Sequence, residues 1–163
     1  MAAKAIHLCE ETIAAVGTYL QVPLNDIGLI KKFNGVNILQ TRWYINVSCQ
    51  DYLTHILTDD HAWLNLKAAN LPVPMRSDPV YQRQLETAAR PTDETMQNTL
   101  QTQAGFSYRM TTGELIYALV AARPDISFAT TKLTQYGRSN PALLHYQAVK
   151  TVYAYLNNTK LRA

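Results

Sequence analysis

Two small groups of side chains could carry chemistry, and each also has a simpler structural interpretation. Cys49, His55 and His61 recur at intervals of six residues, whereas zinc sites use closely spaced pairs, so a metal site is not indicated. The adjacent pair Asp59-Asp60 offers the carboxylates that hold Mg²⁺ in phosphoryl transfer. The same pair also suits the solvent-facing end of a helix, and we favour that interpretation.

Basic residues interleaved with aromatic residues are the remaining candidates. Guanidinium and ammonium groups bind phosphates, and flat rings stack on sugars or bases, so a nucleic-acid surface would use these residue types. The alternative is an ordinary hairpin with a solvated charged surface, and composition alone favours that alternative. The candidates are Lys31, Lys32, Phe33, Arg42, Trp43, Tyr44, Arg109, Arg123, Lys132, Arg138 and Lys150.

The charge of the chain is unevenly distributed. The net charge of +3 divides into −2 for residues 1–103 and +5 for residues 104–163. A basic C-terminal part of this kind suits phosphate contacts, although many proteins that never bind nucleic acid share it. The six glycines are scattered and none belongs to a Walker motif, which excludes nucleotide hydrolysis by that route.

Composition bounds the class of protein. With 163 residues, 47% of them hydrophobic and 17% charged, the chain is predicted to fold around a core. Two cysteines cannot form a disulfide framework. No apolar run approaches the ~20 residues of a membrane span, and no signal segment is recognised at the start, so we expect an intracellular, cytoplasmic or nuclear protein.

These candidates need elements that position them. Apolar spacing predicts a helix over residues 5–21, and alternation predicts a β-hairpin from residues 29–39 and 43–48. Gly35 inside the first strand indicates a bulge or the close approach of another backbone, a useful position for a ligand. A helix is expected to follow Ser48 and to end near residues 59–60.

The second half of the chain is predicted to contain a long loop or linker followed by a helical segment. Residues 71–103 hold four of the seven prolines and few large apolar side chains, which favours a long loop or linker with a helical turn near residues 81–89. Three consecutive helices are predicted over residues 107–163, separated at Pro124 and at Asn140-Pro141.

Motifs in the C-terminal part resemble a known family. They include Tyr108-Arg109, Gly113-Glu114-Leu115-Ile116-Tyr117-Ala118, Arg123-Pro124-Asp125-Ile126-Ser127-Phe128, Lys132-Leu133 and Gln135-Tyr136. This series resembles the polyproteins of copia-type LTR retrotransposons, in the stretch that joins reverse transcriptase to RNase H. Upstream, residues 28–38 resemble the strand that follows the active site of the polymerase palm, and the resemblance extends from about residue 13 onward.

The resemblance also implies what this chain lacks. In the family the polymerase aspartates lie in a Tyr-x-Asp-Asp hairpin upstream of a Phe-x-Gly strand, which corresponds here to Phe33-Asn34-Gly35. Asp59-Asp60 instead follows that strand, with Leu57 where tyrosine is expected. We therefore expect a chain that is inactive alone and holds no cofactor, although Mg²⁺ would be expected for the complete polymerase.

The resemblance implies an α+β fold in three parts. Residues 1–66 would be the end of the palm, with a primer-grip-like hairpin and a thumb-like helix, residues 67–106 a linker or long loop, and residues 107–163 a three-helix connection segment. The implied function is that of a reverse-transcriptase fragment that positions an RNA–DNA or DNA primer–template duplex. Its partners would be that duplex, a missing N-terminal polymerase segment and an RNase H segment, with no membrane involved.

The implied nucleic-acid contacts come from the hairpin and from the helices. On the hairpin they are Lys31, Lys32, Phe33, Gly35, Arg42 and Trp43, and on the helices Arg109, Arg123, Lys132, Arg138 and Lys150. Arg123 has a competing structural role, because Arg-Pro-Asp at a helix junction lets Asp125 cap the helix or form an ion pair. The alternative for the whole chain is a non-catalytic helical protein-interaction module or an inert retroelement remnant.

Overall fold

A computed structural model of the chain describes residues 2–24, 29–58, 71–138 and 140–160. The fold is mixed α+β, and it divides into one compact unit of residues 1–31 and a second of residues 32–163. The first unit contains helix α1 (Ala2–Leu20). Of the predicted divisions, the one between residues 66 and 67 lies outside the described residues.

A three-stranded antiparallel sheet opens the second unit. Its strands β1 (Lys32–Phe33), β2 (Val36–Gln40) and β3 (Ile45–Ser48) pair in the order β1-β2-β3. The predicted hairpin is therefore present as β2 and β3, with Gln40 opposite Ile45. Gly35, however, is not a bulge inside a strand.

A tight turn at Asn34-Gly35 joins β1 to β2. Phe33 pairs with Val36, and both turn residues have positive φ, 47° for Asn34 and 79° for Gly35. This is the geometry of a two-residue type I′ turn, for which Asn-Gly is the preferred sequence. The dipeptide ends one strand and starts the next, so the predicted strand over residues 29–39 is interrupted here.

The remaining elements are helices. They are α2 (Gln50–Thr58), α3 (Pro79–Thr87), α4 (Glu94–Ala104), α5 (Tyr108–Ala121), α6 (Ser127–Thr134) and α7 (Leu143–Thr159). Short 3₁₀ turns flank α6 at Pro124–Ile126 and Gln135–Arg138. The helix after Ser48 and the three C-terminal helices match the sequence prediction. Across the described residues, no helix combines the length and the apolar character needed to cross a membrane.

The helical turn predicted near residues 81–89 is present as α3, but the long loop predicted for the rest of residues 71–103 is wrong, because α4 occupies much of it. Each begins at an aspartate whose side chain accepts a backbone N–H bond: Asp78 from Tyr81 at 3.0 Å, and Asp93 from Met96 at 2.7 Å. Such N-caps satisfy donors that a helix start otherwise leaves unpaired. Leu85 then provides a buried anchor for α3.

The core of the second unit gathers around α7. This helix packs against α2, α4, α5 and α6. The side chains on the inward side of α7 and on the helix faces that pack against it are fully buried. Removing these large side chains from water is the main stabilising contribution to the fold. The largest of these side chains are Tyr146, Tyr153, Leu53, Ile56, Leu85, Leu115, Ile126, Leu133 and Leu156.

A buried guanidinium joins the 3₁₀ turn before α6 to the end of α7. The Arg123 residue is 2% exposed, and its Nε and Nη2 donate to the two carboxylate oxygens of Asp125 at 2.8 and 2.7 Å. Nη2 also donates to Oγ1 of Thr159 at 2.6 Å, and the hydroxyl of Tyr155 donates to Asp125 at 2.9 Å. Hydrogen bonds from Arg123 lower the pKa of the Asp125 carboxyl. The fully buried thiol of Cys49 lies within electrostatic range of this pair, and burial raises its pKa.

Asp125→Asn is expected to destabilise the fold by about 2–3 kcal/mol, because it leaves the buried Arg123 charge without its carboxylate. The value lies below that for a fully buried pair since the Asp125 side chain is 38% exposed. Urea unfolding followed by circular dichroism measures it. Glu86→Gln, which removes the exposed partner of Lys132, is the matched control and should leave the unfolding free energy nearly unchanged. Equal effects of the two variants would contradict a structural role for the Arg123 pair.

Alanine substitutions at two glycines should change the free energy of unfolding in opposite directions. At Gly35 (φ 79°) a Cβ would lie 2.7 Å from the Tyr117 hydroxyl oxygen, so Gly35→Ala is expected to destabilise by about 1–2 kcal/mol. At Gly113, inside α5, a Cβ would meet no atom within 4 Å. Gly113→Ala should therefore stabilise by about 0.5–1 kcal/mol. Thermal and urea unfolding of both variants measure the difference. Destabilisation by Gly113→Ala would contradict the prediction and show that a side chain is not tolerated at position 113.

Candidate nucleic-acid interface

Three of the predicted nucleic-acid contacts are already bonded within the protein. Arg123 is buried and its donors are used, so this side chain is not available to a phosphate. Lys32 donates to Asp51 at 2.9 Å, and Lys132 donates to Glu86 at 2.7 Å. These bonds lower the pKa of each carboxyl partner.

The two lysine pairs differ from the Arg123 pair in their exposure. Asp51 and Glu86 are exposed, and solvent screens such pairs strongly. A phosphate could therefore compete for Lys32 and Lys132, but it would have to displace a carboxylate at each site. The ammonium of Lys150 lies 5.8 Å from the centre of the Phe106 ring, within the range of a cation–π contact.

Gly35 and Phe33 lie beside the C-terminal part of α5. The hydroxyl of Tyr117 donates to the carbonyl oxygen of Asn34, and it occupies the space next to Gly35. The neighbour of Gly35 is therefore a tyrosine side chain of the same chain, and not another backbone as predicted. Phe33 is exposed and lines a shallow apolar groove of about 270 Å³ with Val120. Lys31, the last residue of the first unit, is exposed.

The loop between β2 and β3 presents an organised cluster of cationic and aromatic side chains, which we call the ribbon tip (residues 41–44). Thr41 holds the loop: its Oγ1 accepts the backbone N–H groups of Trp43 and Tyr44 at 3.2 and 3.1 Å, and its N–H donates to the Tyr44 carbonyl at 2.9 Å. The Arg42 guanidinium lies 5.2 Å from the centre of the Trp43 ring. Trp43 is 82% exposed and Tyr44 56% exposed.

The ribbon tip is therefore preorganised, with its rings directed outward. Arg42, Trp43 and Tyr44 were among the candidates predicted from the sequence, whereas Thr41 was not. A threonine hydroxyl commonly accepts hydrogen bonds from the backbone N–H groups two and three residues later, in an ST turn. This tendency is the sequence signal that could have identified Thr41.

A second group of predicted residues meets at a cleft, which we call the α5 cleft. Arg109 in the first turn of α5 and Arg138 in the 3₁₀ turn after α6 line an open space of about 550 Å³. The other lining residues are Thr112, Gly113, Ile116, Thr134 and Gly137. Sequence reasoning selected both arginines but not the two glycines, whose contribution becomes visible only once α5 and α6 are packed.

The Asp59-Asp60 pair and His61 lie outside the described residues. Among the residues that the structure describes, no three His, Cys, Asp or Glu side chains are grouped so that they could hold a metal ion. The carboxylate set that a two-metal polymerase needs is therefore not found in the described part of the chain, and no catalytic step is derived from it.

Comparisons with known proteins add no further assignment. The chain matches no family model, no curated protein and no solved structure. The interpretation of the interface therefore depends on the residues themselves and on the sequence motifs.

His145 is buried and has a structural role. Its Nδ1 accepts the Ala142 N–H at 2.9 Å, so its Nε2 carries the proton and donates to the Leu85 carbonyl at 2.8 Å. Its ring stacks on Tyr136 with centroids 3.9 Å apart. Burial lowers the pKa of His145, because desolvation disfavours the charged ring. The residue joins the start of α7 to the end of α3 in its neutral form.

Stability should fall as the pH drops from about 7 to 5. The unfolded chain binds a proton at His145 near its ordinary pKa of about 6.5, whereas the folded chain resists protonation, so protonation favours unfolding below that pH. Urea unfolding at several pH values should show the loss. In His145→Gln, which keeps an acceptor and a donor but does not titrate, the unfolding free energy should change less over this range. An unchanged slope would contradict the assignment.

Proposed function

We propose that this chain is a non-catalytic segment of a reverse-transcriptase-like polymerase that binds and positions a primer–template duplex. The ribbon tip is the observation that carries the proposal. It combines one guanidinium and two exposed rings on a loop whose backbone is fixed by Thr41. The retrotransposon motifs of the sequence support the polymerase context.

The chemistry of the ribbon tip suits a nucleic acid better than most other ligands. Exposing a tryptophan to this degree gives up hydrophobic stabilisation, which packing on a sugar or stacking on the terminal base pair of a duplex would restore. The guanidinium of Arg42 would bind the adjacent phosphate. Neither contact reads a base edge, so binding should be independent of sequence, as duplex positioning requires.

The distribution of unpaired cations is also consistent with the proposal. Arg42, Arg109 and Arg138 have no carboxylate partner among the described residues, and all three are exposed. Each could neutralise a phosphate without breaking an internal ion pair. The proposal assigns the catalytic step to no residue of this chain, because the Tyr-x-Asp-Asp motif of the family is not in the sequence.

Titration of a fluorescent RNA–DNA hybrid with 5′-hydroxyl ends tests the proposal. We expect binding that weakens between about 50 and 200 mM salt, as counterion release dictates. The double substitution Arg42→Ala and Trp43→Ala should weaken binding by about 1–3 kcal/mol and reduce the salt dependence by about one phosphate contact. Fluorescence anisotropy at both salt concentrations measures both effects.

The matched control removes one exposed cation and one exposed ring elsewhere. Arg83 on α3 and Phe128 on α6 are both exposed, and their replacement by alanine should leave binding close to that of the wild type. No binding at low salt by a folded wild-type chain would overturn the proposal and favour the protein-interaction module. An equal loss in both double variants would show that binding is not located at the ribbon tip.

A further inference from the structure

The α5 cleft is a concave site with two guanidinium groups and no internal counter-charge. None of the residues that line it is acidic, and its two arginines come from elements far apart in sequence. Elsewhere in the described chain, arginines or lysines at 32, 76, 123 and 132 each pair with a carboxylate. Two like charges that face one space repel each other, and an anion between them removes that repulsion.

The position of Arg109 strengthens this argument. It lies in the first turn of α5, where the helix dipole is positive and favours an anion. The first turn of α5 has no acidic residue, and Ser107 makes no side-chain capping bond there. A bound anion would be favoured by the guanidiniums and by the helix start together.

The walls of the α5 cleft leave room for such an anion. A Cβ atom at position 113 or 137 would have no neighbour within 4 Å. Because both residues are glycines, no side chain from these positions fills the cleft. The hydroxyl of Thr112 donates to the Tyr108 carbonyl of the same helix at 2.8 Å, so it is bonded within α5. Ile116, 45% exposed, adds an apolar surface at one side. The volume of about 550 Å³ is in the range of small-ligand sites.

We infer that the α5 cleft binds a phosphomonoester, with Arg109 and Arg138 holding the phosphate and Ile116 contacting the group that it carries. A terminal phosphate carries more charge than a phosphodiester and offers three oxygens to two forked donors. Its source is either a free nucleotide or the 5′ end of a nucleic-acid strand. This site is separate from the ribbon tip, and it does not depend on the proposed duplex binding.

Short single-stranded DNA with a 5′-phosphate or a 5′-hydroxyl tests the inference on the full chain. Fluorescence anisotropy of 3′-labelled strands should show about tenfold tighter binding of the phosphorylated strand, as expected for two charge-assisted contacts. The double variant Arg109→Gln and Arg138→Gln should lose this preference. Arg83→Gln, which removes one exposed guanidinium from α3, should keep it.

A second variant tests the shape of the site without changing its charge. Gly113→Leu places a good helix former at an open position and fills the cleft, so the phosphate preference should also disappear. Circular dichroism establishes that each variant is folded. If Gly113→Leu does not fold, the arginine double variant decides the question.

Competition with adenosine 5′-monophosphate separates the two sources. If the nucleotide displaces the phosphorylated strand, the site accepts free nucleotides, and if it does not, the site needs a strand end. Both results support the inference. Equal affinity for the two strands together with no nucleotide binding would overturn it, as would a preference that survives in the arginine double variant. The hybrid used for the ribbon tip has 5′-hydroxyl ends, so failure of one site is distinguishable from failure of the other.

Discussion

The ion pair between Arg123 and Asp125 is the constraint on which the helical part of the second unit depends. A charged group this deeply buried is stable only when its donors are bonded, and here the acceptors are Asp125 in the 3₁₀ turn before α6 and Thr159 at the end of α7. Because Thr159 belongs to the last turn of α7, the guanidinium fixes where that helix ends relative to α5 and α6. The α5 cleft lies between α5 and the turn after α6, so its shape follows from the same arrangement.

Cations in this protein thus serve two different purposes. Cations that pair with a carboxylate are neutralised within the chain, but only the buried Arg123 pair is structural, since water screens the exposed pairs of Lys32 and Lys132. Those without a carboxylate, at the ribbon tip and in the α5 cleft, keep their donors available for an external anion. The net charge of +5 in residues 104–163 therefore overstates the charge available for binding, because Lys132 is paired with Glu86, which lies outside that part. The Arg123–Asp125 pair lies within that part and is already balanced in its net charge.

Local signals explain how much of the architecture could be predicted from the sequence. Pro124, Gly137 and Asn140-Pro141 interrupt the C-terminal helices, and alternation marks β2 and β3, because these features act within a few residues. Helix α3 was predicted only as a helical turn near residues 81–89, and α4 was not predicted, because threonine and glutamine dominate α4 and its apolar signal is weak. Their stability comes from Asp caps and from Leu85 packed in the core. The α+β class was right, whereas the loop predicted over residues 71–103 was not.

The site was predictable only in its residue types. Arg42, Trp43, Arg109 and Arg138 were selected, but so were Arg123 and Lys132, which are bonded internally. For Lys132 the difference is set by Glu86, 46 residues away, and no local pattern contains such information. For Arg123 the local Arg-Pro-Asp motif did indicate the competing structural role, and the ion pair with Asp125, two residues away, is present. The Asn34-Gly35 turn is a contrary case: its sequence specifies the geometry that the structure shows, although the strand was predicted to continue through it.

The two cysteines give the protein a built-in reporter of its own local opening. Cys9 on α1 is exposed, whereas Cys49 at the start of α2 is fully buried within the core of the second unit. A thiol reagent will modify Cys9 at once but will reach Cys49 only in molecules whose core has opened around it. The ratio of the two labelling rates is thus a protection factor, and it gives the free energy of that opening under native conditions, without denaturant and without any introduced probe.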